Sequence, residues 1–375
     1  MKPAVVSSHF PLWLPSIART SGRFFRTLGI VALAGMLSMQ FTLFATAQGS
    51  ERPIISVDNA TDIVHLAEVE VTDWVGTVAF SPDGSHLISD RGDPSMVYWS
   101  LDDLTPLGEP LVGHSRAVTS LALSPDGTLL ASAGEEGAIR FWDAVTREPL
   151  TEPLSDHQGG VSNVAFSPDG SRLASFGYDA NLILWDTASL TIVANEILES
   201  PGDWSCELAF SPDGNLLATS GETGVIHLWD AATLEPVADL EGHSGWSCAK
   251  AFSPDGTILA TGDSGRGLLI FWDVATHEMI GEPLPAHPGQ NFFSLTFSPD
   301  GTILASSGSG GFRLWDVASK EPLNILPKTP PRAGNFILTS TGTLAFSPDG
   351  TLLAAGLGSS NPSGEVHLWG IDEPE

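Results

Sequence analysis

Serine, histidine and aspartate can together make a nucleophilic triad, in which the imidazole accepts the hydroxyl proton and the carboxylate orients the ring. His157, Ser175 and Asp179 offer those three side chains in one stretch of the chain. Gly262-Asp263-Ser264-Gly265 has the residue order of a trypsin-like nucleophile loop, and Arg91-Gly92-Asp93 is an integrin-type tripeptide. Each has a plainer reading. Histidine returns ahead of comparable apolar runs at His114, His157, His243 and His287, whereas catalysis needs one such centre, so the recurrence points to architecture. Gly262 to Gly265 precedes the run Leu268 to Trp272 with no strand-to-helix elbow. No Gly-rich phosphate loop, paired-histidine helix or calcium loop with alternating carboxylates is present, so no catalytic residue, metal ligand or cofactor is expected.

A repeated turn sets the elements that hold these side chains. Ser-Pro-Asp-Gly begins at Ser81, Ser124, Ser167, Ser211, Ser253, Ser298 and Ser347, at spacings of 43, 43, 44, 42, 45 and 49 residues. Proline presets the second turn position, aspartate suits the third, and glycine takes the left-handed position that a side chain resists. Each copy therefore joins two antiparallel strands. The strand before it is apolar, as in Val78-Ala79-Phe80 and Val164-Ala165-Phe166. A third strand closes on Trp99, Trp142, Trp185, Trp229, Trp272, Trp315 or Trp369, and in five copies aspartate follows the tryptophan. A fourth, shorter strand is read in Leu107 to Leu111 and Pro236 to Leu240. Four strands repeated seven times make a radial array of sheets.

This period, with its Gly-His and Trp-Asp marks, resembles the WD40 repeat from about Asp62 to the end of the chain. The resemblance implies an all-β fold, a seven-bladed β-propeller of four-stranded antiparallel blades spanning 62–371. Too few residues follow Trp369 for a fourth strand in the last blade, and the resemblance implies that Asp62 to Val71 completes it, closing the ring from the N-terminal side. It also implies a buried hydrogen-bond network of His, Ser or Thr, Asp and Trp. Blade three matches at His157, Ser175, Asp179 and Trp185; blade two at His114, Ser132 and Trp142, with Glu136 in place of Asp. Blades five and six keep His243, Thr261 and Trp272, and His287, Ser306 and Trp315, with altered hairpin lengths. Blades one, four and seven lack the histidine and are expected to rest more on packing.

Further tryptophans break the repeat in one place. Counting back six residues from the Phe before each turn gives Trp74, Trp204 and Trp246 in blades one, four and five, and Asn291 followed by Phe292 in blade six. That position opens the innermost strand, at the rim that WD40 proteins commonly use for ligands. An exposed tryptophan there is hot-spot material, and Asp203 and Glu199 would flank it with negative charge. The other reading is that each ring caps its own blade. Cys206 and Cys248 hold equivalent places in neighbouring blades, so both point the same way round the axis and are expected as buried thiols, not a disulfide.

The leader and the charge bound the setting. The first 47 residues hold Lys2, Arg19, Arg23 and Arg26 and no acid, and an apolar run from Leu28 ends in Ala45-Thr46-Ala47, which reads as a secretory signal peptide, with an uncleaved N-terminal anchor as the alternative. Residues 48–61 are read as a linker and 372–375 as an acidic tail. A formal charge of −29 over 375 residues disfavours nucleic acid and anionic membranes. The expected protein is therefore an extracytoplasmic, secreted or periplasmic, monomeric scaffold, not inserted in a membrane after cleavage. It would bind a protein or peptide, a basic or amphipathic segment suiting it best. The alternative is a secreted propeller hydrolase or lyase, calcium-dependent or not, with acidic residues near the central channel.

Overall fold

The computed structural model describes residues 52–71, 74–101, 105–198, 207–221, 223–308, 311–326, 338–359 and 364–371. Apart from one 3-10 turn at Ala60–Asp62, the regular elements there are strands. They form seven antiparallel sheets, six of four strands and one of three. The innermost strands are Val78–Phe80, Val118–Leu123, Val161–Phe166, Ala209–Phe210, Ser247–Phe252, Phe292–Phe297 and Leu338–Phe346. Each touches the next in that order and the last touches the first, so the blades close a ring.

The turn that joins the first two strands of each blade is built alike seven times. In blade two, Ser124 Oγ donates to Asp126 Oδ1 at 2.6 Å and accepts the Leu129 N–H at 2.9 Å, while the Gly127 N–H donates to the Ser124 carbonyl at 2.8 Å. Gly127 sits at φ +71°, where a Cβ is strained, and that Cβ would also lie 3.6 Å from the Pro82 ring of the preceding blade. The remaining turns repeat the serine–aspartate bond at 2.6 Å. The Trp-Asp aspartates do a similar task two strands later: Asp143 Oδ1 accepts the Val145 and Thr146 N–H groups, letting Arg147 close the turn at φ +64°.

The core is seven apolar clusters, one between each neighbouring pair of blades, and each contains one of the seven repeat tryptophans. The second strand of a blade is buried on both faces, as in Leu129–Gly134, with leucine on one face and alanine on the other. That is why these strands read as continuous small-and-apolar runs and not as polar alternation.

Blade two departs from the four-strand expectation. Its outer segment makes only isolated bridges, Ile139 with Leu154 and Trp142 with Pro149. Pro149 faces Trp142 as Pro236 faces Trp229 and Pro322 faces Trp315, so the segment keeps the station of an outer strand. In blade one the outer strand is Leu111–Val112, with a separate bridge from Trp99 to Pro106, so the expected strand over Leu107 to Leu111 is displaced.

The strand Ile63–Val71 pairs antiparallel with Gly364–Ile371 and is the fourth strand of the last blade. The segment before it, read as linker, packs as well. Ile55 and Ala60 are fully buried among Phe312, Leu353 and Trp369, and the Ile55 N–H donates to the Gly350 carbonyl at 2.9 Å. Asn59 makes this possible: its Oδ1 accepts the Ser56 N–H and its Nδ2 donates to the Ile54 carbonyl. Among the described residues no helix is long and apolar enough to cross a membrane. The leader 1–47 and the tail 372–375 lie outside the described residues.

Candidate functional site

The residues that resemble a triad form a real hydrogen-bonded chain, but it faces inward. In blade three Ser175 Oγ accepts the Trp185 Nε1–H at 2.8 Å and lies 2.8 Å from His157 Nε2, and His157 Nδ1 lies 3.1 Å from Asp179. The ionised Asp179 can only accept, which places the imidazole proton on Nδ1, toward the carboxylate, and leaves Nε2 to accept the Ser175 hydroxyl proton. Burial works against the Asp179 charge, yet the Gln158 N–H at 2.7 Å and the His157 ring hold its carboxyl below the usual range. Ser175 has no exposed surface. Its oxygen is a structural junction, unavailable to a substrate.

Blade two repeats this with Glu136: His114 to Glu136 at 2.6 Å, His114 to Ser132 at 2.7 Å, and Trp142 to Ser132 at 2.9 Å. Burial lowers the His114 pKa and keeps the ring neutral. The Gly113 of the Gly-His pair is needed because a Cβ there would lie 2.8 Å from the Trp142 ring. In blade five His243 reaches Thr261 at 2.7 Å and Trp272 donates to the same hydroxyl at 2.8 Å, but His243 Nδ1 stands 3.7 Å from Asp263. In blade six His287 and Trp315 meet Ser306 at 3.0 Å each. There Phe292 packs edge-on against the His287 ring, centroids 5.0 Å apart.

Blades one and four, which lack the histidine, keep half of the arrangement: Trp99 donates to Ser89 and Trp229 to Thr219, both at 2.9 Å. In blade seven Ala355 stands where the hydroxyl would be, and Trp369 Nε1 is buried with no hydrogen-bond partner. The two other motifs are also spent locally. Ser264 Oγ donates to the Phe292 carbonyl at 2.9 Å, and Asp263 accepts the Leu268 N–H at 2.8 Å. Asp93 accepts the Ser95 N–H at 2.9 Å, and Gly92 donates to Asp90.

Antiparallel strands reverse at alternate ends, so the Ser-Pro-Asp-Gly and Trp-Asp turns share one face of the ring. The loops between blades, with the turns joining second and third strands, share the other. Trp74 and Trp246 lie on this second face and are 50% and 39% exposed. Asn291 is exposed there, whereas Phe292, one residue on, is fully buried and is corrected from rim to core. The reason is a missing side chain: Gly262 leaves room for the Phe292 ring, which a Cβ would meet at 2.5 Å. Trp204, Asp203, Glu199 and Cys206 lie outside the described residues, as does the side chain of Cys248, so their patch and the thiol pairing have no geometry to report.

Tyr178 is the rim aromatic that sequence counting missed. It is 47% exposed, and its ring lies where a Cβ on Gly160 would be, 2.9 Å away. The Tyr178 N–H donates to the Gly160 carbonyl, as the Ser264 N–H does to that of Trp246, so both aromatics occupy one structural station in different blades. Burial and then Glu135 raise the Tyr178 pKa, keeping the hydroxyl protonated.

The centre of the ring holds a buried pair. Lys250, on the innermost strand of blade five, donates from Nζ to the Glu207 carbonyl at 2.5 Å, and its N–H reaches Glu207 Oε2 at 3.2 Å. Burial pushes the Glu207 carboxyl up and the Lys250 ammonium down. The seven innermost strands contain no aspartate or glutamate.

The family model described as the IFT122 first beta-propeller matches residues 74–329, more than half of the chain. No curated protein matches it.

Proposed function

The chain belongs to the family of the IFT122 first beta-propeller, a WD40-type propeller, and from that premise we propose that it is a non-catalytic scaffold binding a protein or peptide on its loop face. The observation that carries this reading is the set of half-exposed rings, Trp74, Tyr178 and Trp246, on one face of a rigid ring. Large aromatics on rigid elements offer contact area at low entropic cost, and they dominate binding energy where water is excluded around them. The acidic balance of the chain favours a partner with a basic or amphipathic segment, charge setting orientation and on-rate more than affinity. The leader supports an extracytoplasmic protein once residues 1–47 are removed.

The enzyme alternative, acids around the central channel holding calcium, finds one buried carboxylate at the centre among the described residues, Glu207, and it is engaged by Lys250. Calcium prefers six to eight oxygen ligands. The test is co-purification from the native host under mild crosslinking, with the wild type and a Trp74→Ala/Trp246→Ala variant compared at equal folded amounts. The scaffold reading expects a protein held by the wild type and lost from the variant. Retention by both would move the binding surface off these two rings, and a melting temperature that rises with calcium and falls with chelator would favour the other reading.

A further inference from the structure

The strand pair that closes the ring brings together side chains from the two ends of the chain. Ile63–Val71 and Gly364–Ile371 pair with Glu68 opposite His367 and His65 opposite Trp369, and a bulge between His65 and Ala67 shifts the register. In a regular strand residues three apart face opposite sides. The extra residue, Leu66, turns His65 and Glu68 to the same side, the one shared by Glu365, His367 and Trp369. There His65 Nε2 lies 2.8 Å from His367 Nδ1, and Glu68 Oε2 lies 3.9 Å from the same Nδ1. Donor atoms of His65, Glu68 and His367 all fall within 4.8 Å of one another.

We propose that this seam is a binding site for one divalent transition-metal ion of the Zn2+ type, ligated by His65 Nε2, His367 Nδ1 and a Glu68 carboxylate oxygen. The site departs from the expectation of no metal ligands, which rested on motif spacing along the chain and not on pairing between its ends. Tetrahedral zinc with bonds of about 2.0–2.2 Å places ligand atoms roughly 3.3 Å apart. Two of the three separations, 2.8 and 3.9 Å, bracket that distance and the third lies within 4.8 Å, so the two rings part by about half an ångström as the Glu68 carboxylate closes in on them.

The outer contacts suit the same ion. Glu365 Oε2 lies 2.8 Å from His367 Nε2; a carboxylate there holds the proton on Nε2 and leaves the Nδ1 lone pair aimed at His65. His65 then donates its Nε2 proton to His367 Nδ1, and the ion takes that proton's place as His65 changes to the Nδ1–H tautomer. The Trp369 ring stacks on His367 at 20° and 5.5 Å and fixes its plane. Two imidazoles with one carboxylate disfavour Ca2+ and Mg2+, which want oxygen ligands. Bound there, the ion would staple the first strand of the ring to the last.

The test uses tag-free full-length protein, stripped with chelator and titrated with Zn2+ at pH 7.5 by calorimetry, with thermal melting in parallel. The expected result is one Zn2+ per chain and a higher melting temperature, with no shift from Mg2+ at equal concentration. His65→Ala and the bulkier His65→Gln should each lose the stoichiometric binding, and whichever folds like the wild type by circular dichroism decides. Glu365→Gln should retain binding weakened about 10- to 100-fold, as expected for an outer-sphere partner. A wild type that takes up no Zn2+, or a folded His65 variant that binds it with unchanged affinity, would overturn the proposal.

Discussion

Replacing Ser175 by alanine separates a structural junction from a catalytic hydroxyl. Ser175 Oγ accepts the Trp185 indole N–H and bonds to His157 Nε2, both at 2.8 Å, in a site with no exposed surface. Alanine keeps nearly the same volume, so little cavity forms, but two buried polar groups lose their partner. Each such orphan costs about 1–3 kcal/mol, giving a total of roughly 2–6 kcal/mol. The lower part of that range is favoured, because blade seven already tolerates Trp369 Nε1 unpaired beside Ala355. Urea unfolding at pH 7, followed by tryptophan fluorescence and circular dichroism, should show a lower midpoint with an unchanged slope, the two probes coinciding. Adding Trp185→Phe removes the orphaned donor, so the double variant should lose less stability than the sum of the single changes. A loss under about 0.5 kcal/mol, within the range of an ordinary surface substitution, would refute the junction argument.

Gly170→Ala should cost about 1 kcal/mol or somewhat more by urea melt, because φ there is +71° and a Cβ would lie 3.4 Å from the Pro125 ring. Removing residues 52–62 should lower the melting temperature by several degrees through the loss of Ile55 and Ala60 from the core, and a melt unchanged by that truncation would return the segment to a linker. Burial raises the Asp90 carboxyl to about 7, against the N–H groups of Thr77, Gly92 and Gly76. The folded state then holds a proton that the unfolded state releases from about pH 4 upward, so this stabilisation is complete below pH 4 and is lost as pH rises through 7, by roughly 4 kcal/mol at most. Asp90→Asn should therefore flatten the fall in stability between about pH 4 and pH 7; a fall of the wild-type size in the variant would assign it to other groups.

Much of the fold was legible because the repeat depends on residue types with no substitute. Only glycine sits easily at the end of the Ser-Pro-Asp-Gly turn, and only a residue as large as tryptophan fills the gap between blades. The packing of residues 52–61 was hidden because it rests on one isoleucine and an asparagine turn in a polar stretch without periodicity. Blade two keeps its outer segment in place by isolated bridges, Trp142 with Pro149 and Ile139 with Leu154, where blades four and six form a ladder. At the rim, Trp74 and Trp246 were found by counting along strands, but Tyr178 comes from a turn and reaches the same station through space over Gly160. Phe292 went the other way, inward, because Gly262 on the second strand of the preceding blade makes room for it. The His65, Glu68 and His367 cluster was invisible to linear spacing, since a bulge and a pairing between chain ends create it.

The central claim, that the loop face binds a protein through its rim aromatics, is tested most directly by measuring affinity and melting temperature on one preparation. The variant is Trp74→Ala/Trp246→Ala, and the ligand is the protein recovered by co-purification. Two half-exposed rings acting as hot spots predict a loss of about 2–4 kcal/mol in binding, with the melting temperature within a degree or two of the wild type. A lowered melting temperature with the affinity per folded molecule unchanged would contradict the account and make these tryptophans caps of their own blades.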